Sequence, residues 1–165
     1  MYQNKNNRWN KWNYSNNGFY FITICTGDRY PYFGNIENDK MILNNIGIIV
    51  KNKILNIENF HKTIIIHEYC IMPNHLHFIF EINKNRDVGA RLIWHLRERN
   101  NQLLSLIIGL FKSSTSREIN KIKPYYFKWQ KSFHDHIIRN EIEYLKIKRY
   151  IINNPKMWNG DRNNK

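Results

Sequence analysis

The stretch that most limits how this chain can fold is residues 62–82, where two apolar, β-branched runs are separated only by Met72, Pro73 and Asn74. Three residues cannot carry a parallel crossover, so strands at 62–71 and 75–82 must pair antiparallel around a tight turn. The second strand opens with His75, Leu76 and His77. Side chains alternate between faces along a strand, so the two imidazoles point the same way and can grip one cation. Imidazoles suit Zn, Mn, Fe or Ni, and the pair alone does not choose among them. Two histidines on one face also make an ordinary satisfied polar patch. A zinc hydrolase would need a third strong ligand and an open water position, for which His67, His134, Asp135 and His136 are the candidates.

The rest of the chain supplies a setting for that hairpin. Gly18 opens an aromatic and β-branched run at 19–26, which reads as a strand ended by Gly27 and Asp28, with a turn-rich stretch over 28–38. Ile42, Ile46, Ile49, Val50, Ile54 and Ile57 recur at three- and four-residue spacings, predicting an amphipathic helix over 40–58 with Lys51 and Lys53 outside. Residues 83–101 are polar and without a period, as in a mobile loop. Leu103, Leu106, Ile107, Leu110 and Phe111 define a second helix over 102–120, basic towards its end and closed by Pro124. Residues 125–138 read as a strand or bent hairpin. Asn140 and Glu143 form a capping box for a last helix that Pro155 stops. The order β-α-β-β-α-β-α predicts a ferredoxin-like α+β domain over 1–165: an antiparallel sheet with helices on one side and an extra C-terminal helix carrying Tyr150.

Composition narrows the partner. The 165 residues carry 26 Lys and Arg against 13 Asp and Glu, a net charge of +13, which favours polyanions through counterion release. No basic amphipathic helix or apolar run of membrane-spanning length is present, so a lipid surface is the weaker reading and the expected location is the cytoplasm. Part of the Lys and Asn excess reads as AT-rich coding bias. Cys25 and Cys70 sit among apolar or aromatic neighbours outside any C-x-x-C pair, as buried reduced thiols do. In the polar lead-in 1–17, Arg8, Trp9, Lys11 and Trp12 interleave cations with rings, the pattern that tracks phosphates and stacks unpaired bases. A disordered or core-anchoring lead-in has the same composition.

In the last helix Tyr150 and Asn154 are four residues apart and share a face. Asn154 precedes Pro155, which disfavours a helical conformation there and frees the amide to reach sideways. An amide oxygen suits a hard divalent cation as a third ligand, with the phenol beside it. A core or surface aromatic and a helix-end asparagine are the plainer readings of the two residues.

Taken together, the segments at 18–26, 33–34, 41–44, 72–77, 111–113, 129–130, 133–139 and 150–155 resemble, in order, those of the HUH single-tyrosine transposases, and within them the REP-associated tyrosine transposases of bacteria. The resemblance implies that His75 and His77 hold the metal, Mg²⁺ or Mn²⁺. It implies that Tyr150 is the nucleophile, and that Asn154 is the third ligand where the wider superfamily often has glutamine. It further implies cleavage and joining of hairpin-forming single-stranded DNA through a covalent 5′-phosphotyrosine, by a homodimer or a monomer associated with the nucleoid. Lys112, Arg117 and Arg139 are expected to flank the DNA. A domesticated relative that binds hairpin DNA or RNA without cutting is the first rival, and a small-phosphoester hydrolase the second.

Overall fold

The computed structural model describes residues 16–86, 103–122, 124 and 126–164. Arg8, Trp9, Lys11, Trp12 and all but the first residues of the expected loop at 83–101 lie outside them. In chain order the elements are β1 (Gly18–Cys25), β2 (Gly34–Glu37), β3 (Lys40–Leu43), α1 (Asn45–Leu55), α2 (Ile57–Phe60), β4 (Ile64–Met72), β5 (His75–Ile82), α3 (Leu103–Ile122), β6 (His134–Ile138) and α4 (Glu141–Asn153). A 3₁₀ segment, Asn154–Gly160, follows α4.

β4, β5, β1 and β6 form one sheet in that order, every neighbouring pair antiparallel. Omitting the β2–β3 hairpin leaves a βαββαβ core with its first and third strands inside the sheet. This is the expected ferredoxin-like α+β class. One face buries Tyr20, Ile22 and Ile24 of β1 and Leu76, Phe78, Phe80 and Ile82 of β5 against Val50 and Ile54 of α1 and Leu104, Ile107, Ile108 and Phe111 of α3. The opposite face carries Phe19, Phe21 and Ile79 and is covered by Tyr144, Ile147 and Ile151 of α4. With both faces covered, β5 is buried along nearly its whole length, His75 and His77 included.

Three expectations need correction. The helix predicted over 40–58 begins only at Asn45, because residues 38–39 are a hairpin turn: Asn38 and Asp39 have φ of 49° and 61°, the two-positive-φ loop that matches strand twist. Gly34 completes this hairpin at φ +136°, where a β-carbon would run into the Ile42 carbonyl. Asn44 then starts the helix, its Oδ1 accepting from the Ile46 and Gly47 amides at 3.0 Å each. The strand or hairpin expected over 125–138 shrinks to β6, preceded by a bridge between Thr26 and Trp129. The chain between them stays irregular because Lys112 Nζ donates to the carbonyls of Gln130, Lys131 and Ser132, occupying groups that a ladder would use. Finally, Pro155 ends α4 without ending helicity. Asn154 is helical at φ −56° and ψ −40° and opens the 3₁₀ segment, and Pro155 sits in its first turn, where the missing N–H removes no bond.

Candidate active site

β5 is an inner strand, laddered on one side to β4 and on the other to β1, so side chains on it are rigidly mounted. His75 faces Met72 and Cys25 across the two ladders, and His77 faces Cys70 and Thr23. Both imidazoles are fully buried, on the face that α4 covers. Their Nε2 atoms stand 3.1 Å apart. The outer nitrogens are tied elsewhere: His75 Nδ1 lies 2.8 Å from Asn74 Oδ1, and His77 Nδ1 lies 2.9 Å from Thr23 Oγ1.

These bonds set the chemistry of the pair. Asn74 Nδ2 donates to the carbonyls of Arg29 and Asn163, both at 2.8 Å, so its Oδ1 is the atom facing His75. An oxygen there can only accept, so His75 carries its proton on Nδ1 and presents a lone pair at Nε2. Burial pushes His75 down to about 4 in pKa, against the pull of Asp161 and with the help of Arg29. Burial, then His75 and Arg162, pushes His77 well below the ordinary imidazole value. Both rings are therefore neutral at pH 7, the form that binds a metal.

α4 brings the nucleophile to this pair. Ile151 is fully buried against Ile79 and Ile138, and that anchor sets the neighbouring Tyr150 over the sheet. The Tyr150 hydroxyl lies 3.3 Å from His77 Nε2, and its ring meets Phe21 and His77 edge-on at centroid distances of 6.0 and 5.2 Å. The residue is 40% exposed, so one side of the phenol is open to a ligand. One turn on, Asn154 is fully buried, and its Oδ1 has no hydrogen-bond partner. Its Nδ2 donates to Asp161 Oδ2 at 3.3 Å. The Asp161 carboxylate, 4% exposed, reaches to 4.0 Å from His75 Nε2. Metal-binding atoms of His75, His77 and Asp161 all lie within 4.8 Å of one another, the one such group among the described residues. Two imidazole nitrogens, a carboxylate and an amide oxygen without a hydrogen-bond partner thus lie together. That set fits a divalent cation.

No family model matches the chain. An uncharacterized protein of Haemophilus influenzae is 38% identical over 157 residues, which span 92% of this chain and 87% of that one, and the two belong to one family. A REP-associated tyrosine transposase solved bound to a REP hairpin superposes with a TM-score of 0.56 at 17% identity, over 90% of this chain and 72% of that one. The fold is that of the REP-associated tyrosine transposases. A candidate transposase from Deinococcus radiodurans R1 is more distant, at 13% identity and a TM-score of 0.49 over 84% of this chain and 91% of that one.

On this transposase fold the predicted residues fall into two groups. His75, His77, Tyr150 and Asn154 meet at one point. Of the other ligand candidates, His67 is the extra residue of a bulge in β4 and pairs with Glu81 at 2.7 Å and the Tyr144 hydroxyl at 3.3 Å. His136 pairs with Glu143 at 2.6 Å, and His134 and Asp135 lie on the edge strand β6. Lys112 holds the three carbonyls described above. Arg117 lies on α3, across the sheet from the histidines, in a groove with Lys53 and Phe60. Arg139 is exposed at the start of α4, its amide donating to Glu143. Sequence reasoning missed Asp161, and with it Arg29 and Arg162, whose charges are felt at His75. One signal was available: Asp161 is the sole carboxylate residue after Glu143 in a basic C-terminal stretch.

Proposed function

We propose that this chain is a divalent-metal-dependent endonuclease and strand transferase acting on hairpin-forming single-stranded DNA, with Tyr150 as the nucleophile. The observation that carries this reading is the Tyr150 hydroxyl, half-exposed and 3.3 Å from His77 Nε2, itself 3.1 Å from His75 Nε2. A solvent-facing phenol beside two neutral, buried imidazoles has little structural purpose. It is well placed to attack an electrophile brought against the same atoms.

His75, His77, Asp161 and Asn154 would hold the ion, and their mixture of nitrogen with carboxylate and amide oxygen suits Mg²⁺ or Mn²⁺. When bound, the ion supplies Lewis-acid polarisation of a phosphoryl oxygen. The residues do the rest. Tyr150 Oη forms a bond to phosphorus as the P–O3′ bond breaks, leaving a 5′-phosphotyrosine and a free 3′-OH, and the reverse step on another 3′-OH rejoins DNA without ATP. Burial and Asp161 raise the phenol's pKa, while Asn154 and Arg162 act in the other direction. The positive charges of Arg29 and Arg162 reach His75 and would favour an approaching phosphodiester. All these groups come from one chain, so the reading requires no second copy. Among the described residues no helix is long and apolar enough to cross a membrane, and a cytoplasmic site of action on DNA fits the reading.

The test is a labelled hairpin oligonucleotide incubated with protein and Mg²⁺ or Mn²⁺, then resolved on a denaturing gel. The expected result is a protein–DNA adduct that is absent with Tyr150→Phe and with EDTA. Cleavage without an adduct would point to hydrolysis, and a native complex that is never cut would point to a binding module. Equal cutting of duplex DNA would overturn the single-strand claim.

A further inference from the structure

Residues 161–163 fold back beneath the histidine pair. The Asp161 carboxylate and Asn163 are each 4% exposed, unusual burial for two polar residues in a segment with no α-helix or strand. Asn163 is held on three sides. Its amide donates to Asp161 Oδ1 at 2.6 Å, its carbonyl accepts from Asn74 Nδ2 at 2.8 Å, and its Oδ1 accepts from the Arg29 guanidinium. Asp161, in contrast, makes no ion pair with a lysine or arginine among the described residues, although its Oδ2 points at the site. A buried carboxylate beside two neutral imidazoles leaves a negative charge in a medium of low dielectric, and a cation shared with the imidazoles offsets it.

The same segment reaches the metal-binding atoms by a second route. Asn74 keeps its oxygen on His75 Nδ1 only while its amide hydrogens have acceptors, and the Asn163 carbonyl is one of the two it uses. Without that carbonyl the amide is free to turn, and His75 loses the partner that keeps its Nε2 deprotonated. A backbone oxygen far along the chain thus bears on the tautomer of a ligand.

We propose that residues 161–163 are an integral part of the metal centre: Asp161 supplies its anionic ligand, and Asn163 is a positioning residue that acts through Asn74 on His75. The inference rests on the reading above that the site holds a divalent cation, and it assigns the charge of that site to the chain's last turn. Asp161→Asn keeps the size of the side chain and an acceptor for the Asn163 amide, and replaces the charged oxygen that accepts from Asn154 Nδ2 with an amide NH2. Asn163→Ala removes the tether to Arg29 and so loosens the carbonyl on Asn74.

The experiment is a Mn²⁺ titration of the full-length protein without DNA, followed by the electron paramagnetic resonance of free Mn²⁺, beside thermal melts in EDTA. Asp161→Asn is expected to weaken Mn²⁺ binding by roughly 100-fold and Asn163→Ala by about 10-fold, within the range of losses for residues that set a metal site. In EDTA, Asp161→Asn should melt no lower than wild type, because removing a buried charge without a Lys or Arg partner offsets the lost bond from Asn154; a merely structural carboxylate would show the opposite pair of results. At saturating Mn²⁺, Asn163→Ala should recover wild-type occupancy. Wild-type affinity in Asp161→Asn would overturn the proposal while leaving a metal centre in place. Absence of Mn²⁺ binding in wild type would sink the metal reading and this inference with it. Mn²⁺ binding that depends on Asp161, with no adduct on any hairpin, would sink the nuclease reading alone.

Discussion

Replacing Thr23 by Val tests whether the buried hydroxyl on β1 sets the chemistry of His77. Thr23 is 1% exposed and stands directly opposite His77 in the β1–β5 ladder, its Oγ1 2.9 Å from Nδ1. Valine has nearly the same shape and favours strand conformation, so β1 should persist with a methyl where the hydroxyl was. The ring nitrogen is then buried without a partner, a loss of about 1–3 kcal/mol. Nothing on β1 then fixes the ring's tautomer or its orientation at Nε2, the atom facing His75. Orienting partners of this kind are worth roughly 10- to 100-fold in metal affinity, or about 1.4–2.7 kcal/mol. Urea unfolding in EDTA reads the first quantity and Mn²⁺ titration the second, with Thr23→Ser as the variant that restores the bond. At saturating Mn²⁺ the Tyr150 adduct should return, since Thr23 does not touch the phenol. A Thr23→Val protein with wild-type Mn²⁺ affinity would refute the claim that this hydroxyl fixes the ring.

Asn44→Ala removes the cap of α1 and also the bond from Asn44 Nδ2 to the Tyr32 carbonyl at 2.9 Å, so urea unfolding should show a loss of about 1–3 kcal/mol. Mn²⁺ affinity should be unaffected, because α1 lies across the sheet from the histidines. The Glu143 carboxyl is held below its ordinary value of 4.5 by the Arg139 amide and then by His136. A folded value lower than the unfolded one means stabilisation that is present above the unfolded value and lost as pH falls through the folded one. Melting curves of wild type and Glu143→Gln should therefore be separated at neutral pH and converge in acid; a gap independent of pH would refute the assignment.

The parts of the site legible in the sequence are those governed by a short period. Alternation along 75–77 puts both imidazoles on one face whatever the sheet order, and a spacing of four puts Asn154, at the end of α4, on the side that carries Tyr150. Asp161 obeys neither rule. It reaches His75 because Asn154–Gly160 turns as a 3₁₀ segment, and no periodicity of the chain encodes that direction. The misread helix at 40–58 failed for a related reason. Ile42 continues the spacing of Ile46 and Ile49 by coincidence, while the true boundary lies in polar residues: Asn38 and Asp39 as a positive-φ turn, and Asn44 as a cap. Those signals outrank periodicity when they fall inside it. The irregular lead-in at 130–133 was beyond reach, since the ammonium of Lys112, distant in sequence, holds its carbonyls.

The two halves of the centre are mounted in different ways, and the difference matters for the proposed chemistry. The imidazoles stand on an inner strand, laddered on both sides, stacked on Phe21 at 5.3 Å and on Trp158 at 6.1 Å. Any ion they hold is fixed by the sheet, which has no freedom to shift without losing two ladders. Tyr150 stands near the end of a helix whose buried residue is Ile151, and is itself 40% exposed. A nucleophile must meet phosphorus in line with the leaving oxygen, which requires access from one side, whereas a ligand set has only to stay still. The charge of Arg162, carried on the same C-terminal segment as Asp161, also reaches the phenol and favours its ionised form. The acid that would hold the cation and the base that would draw in the phosphate are thus adjacent in sequence, so docking of one segment sets both.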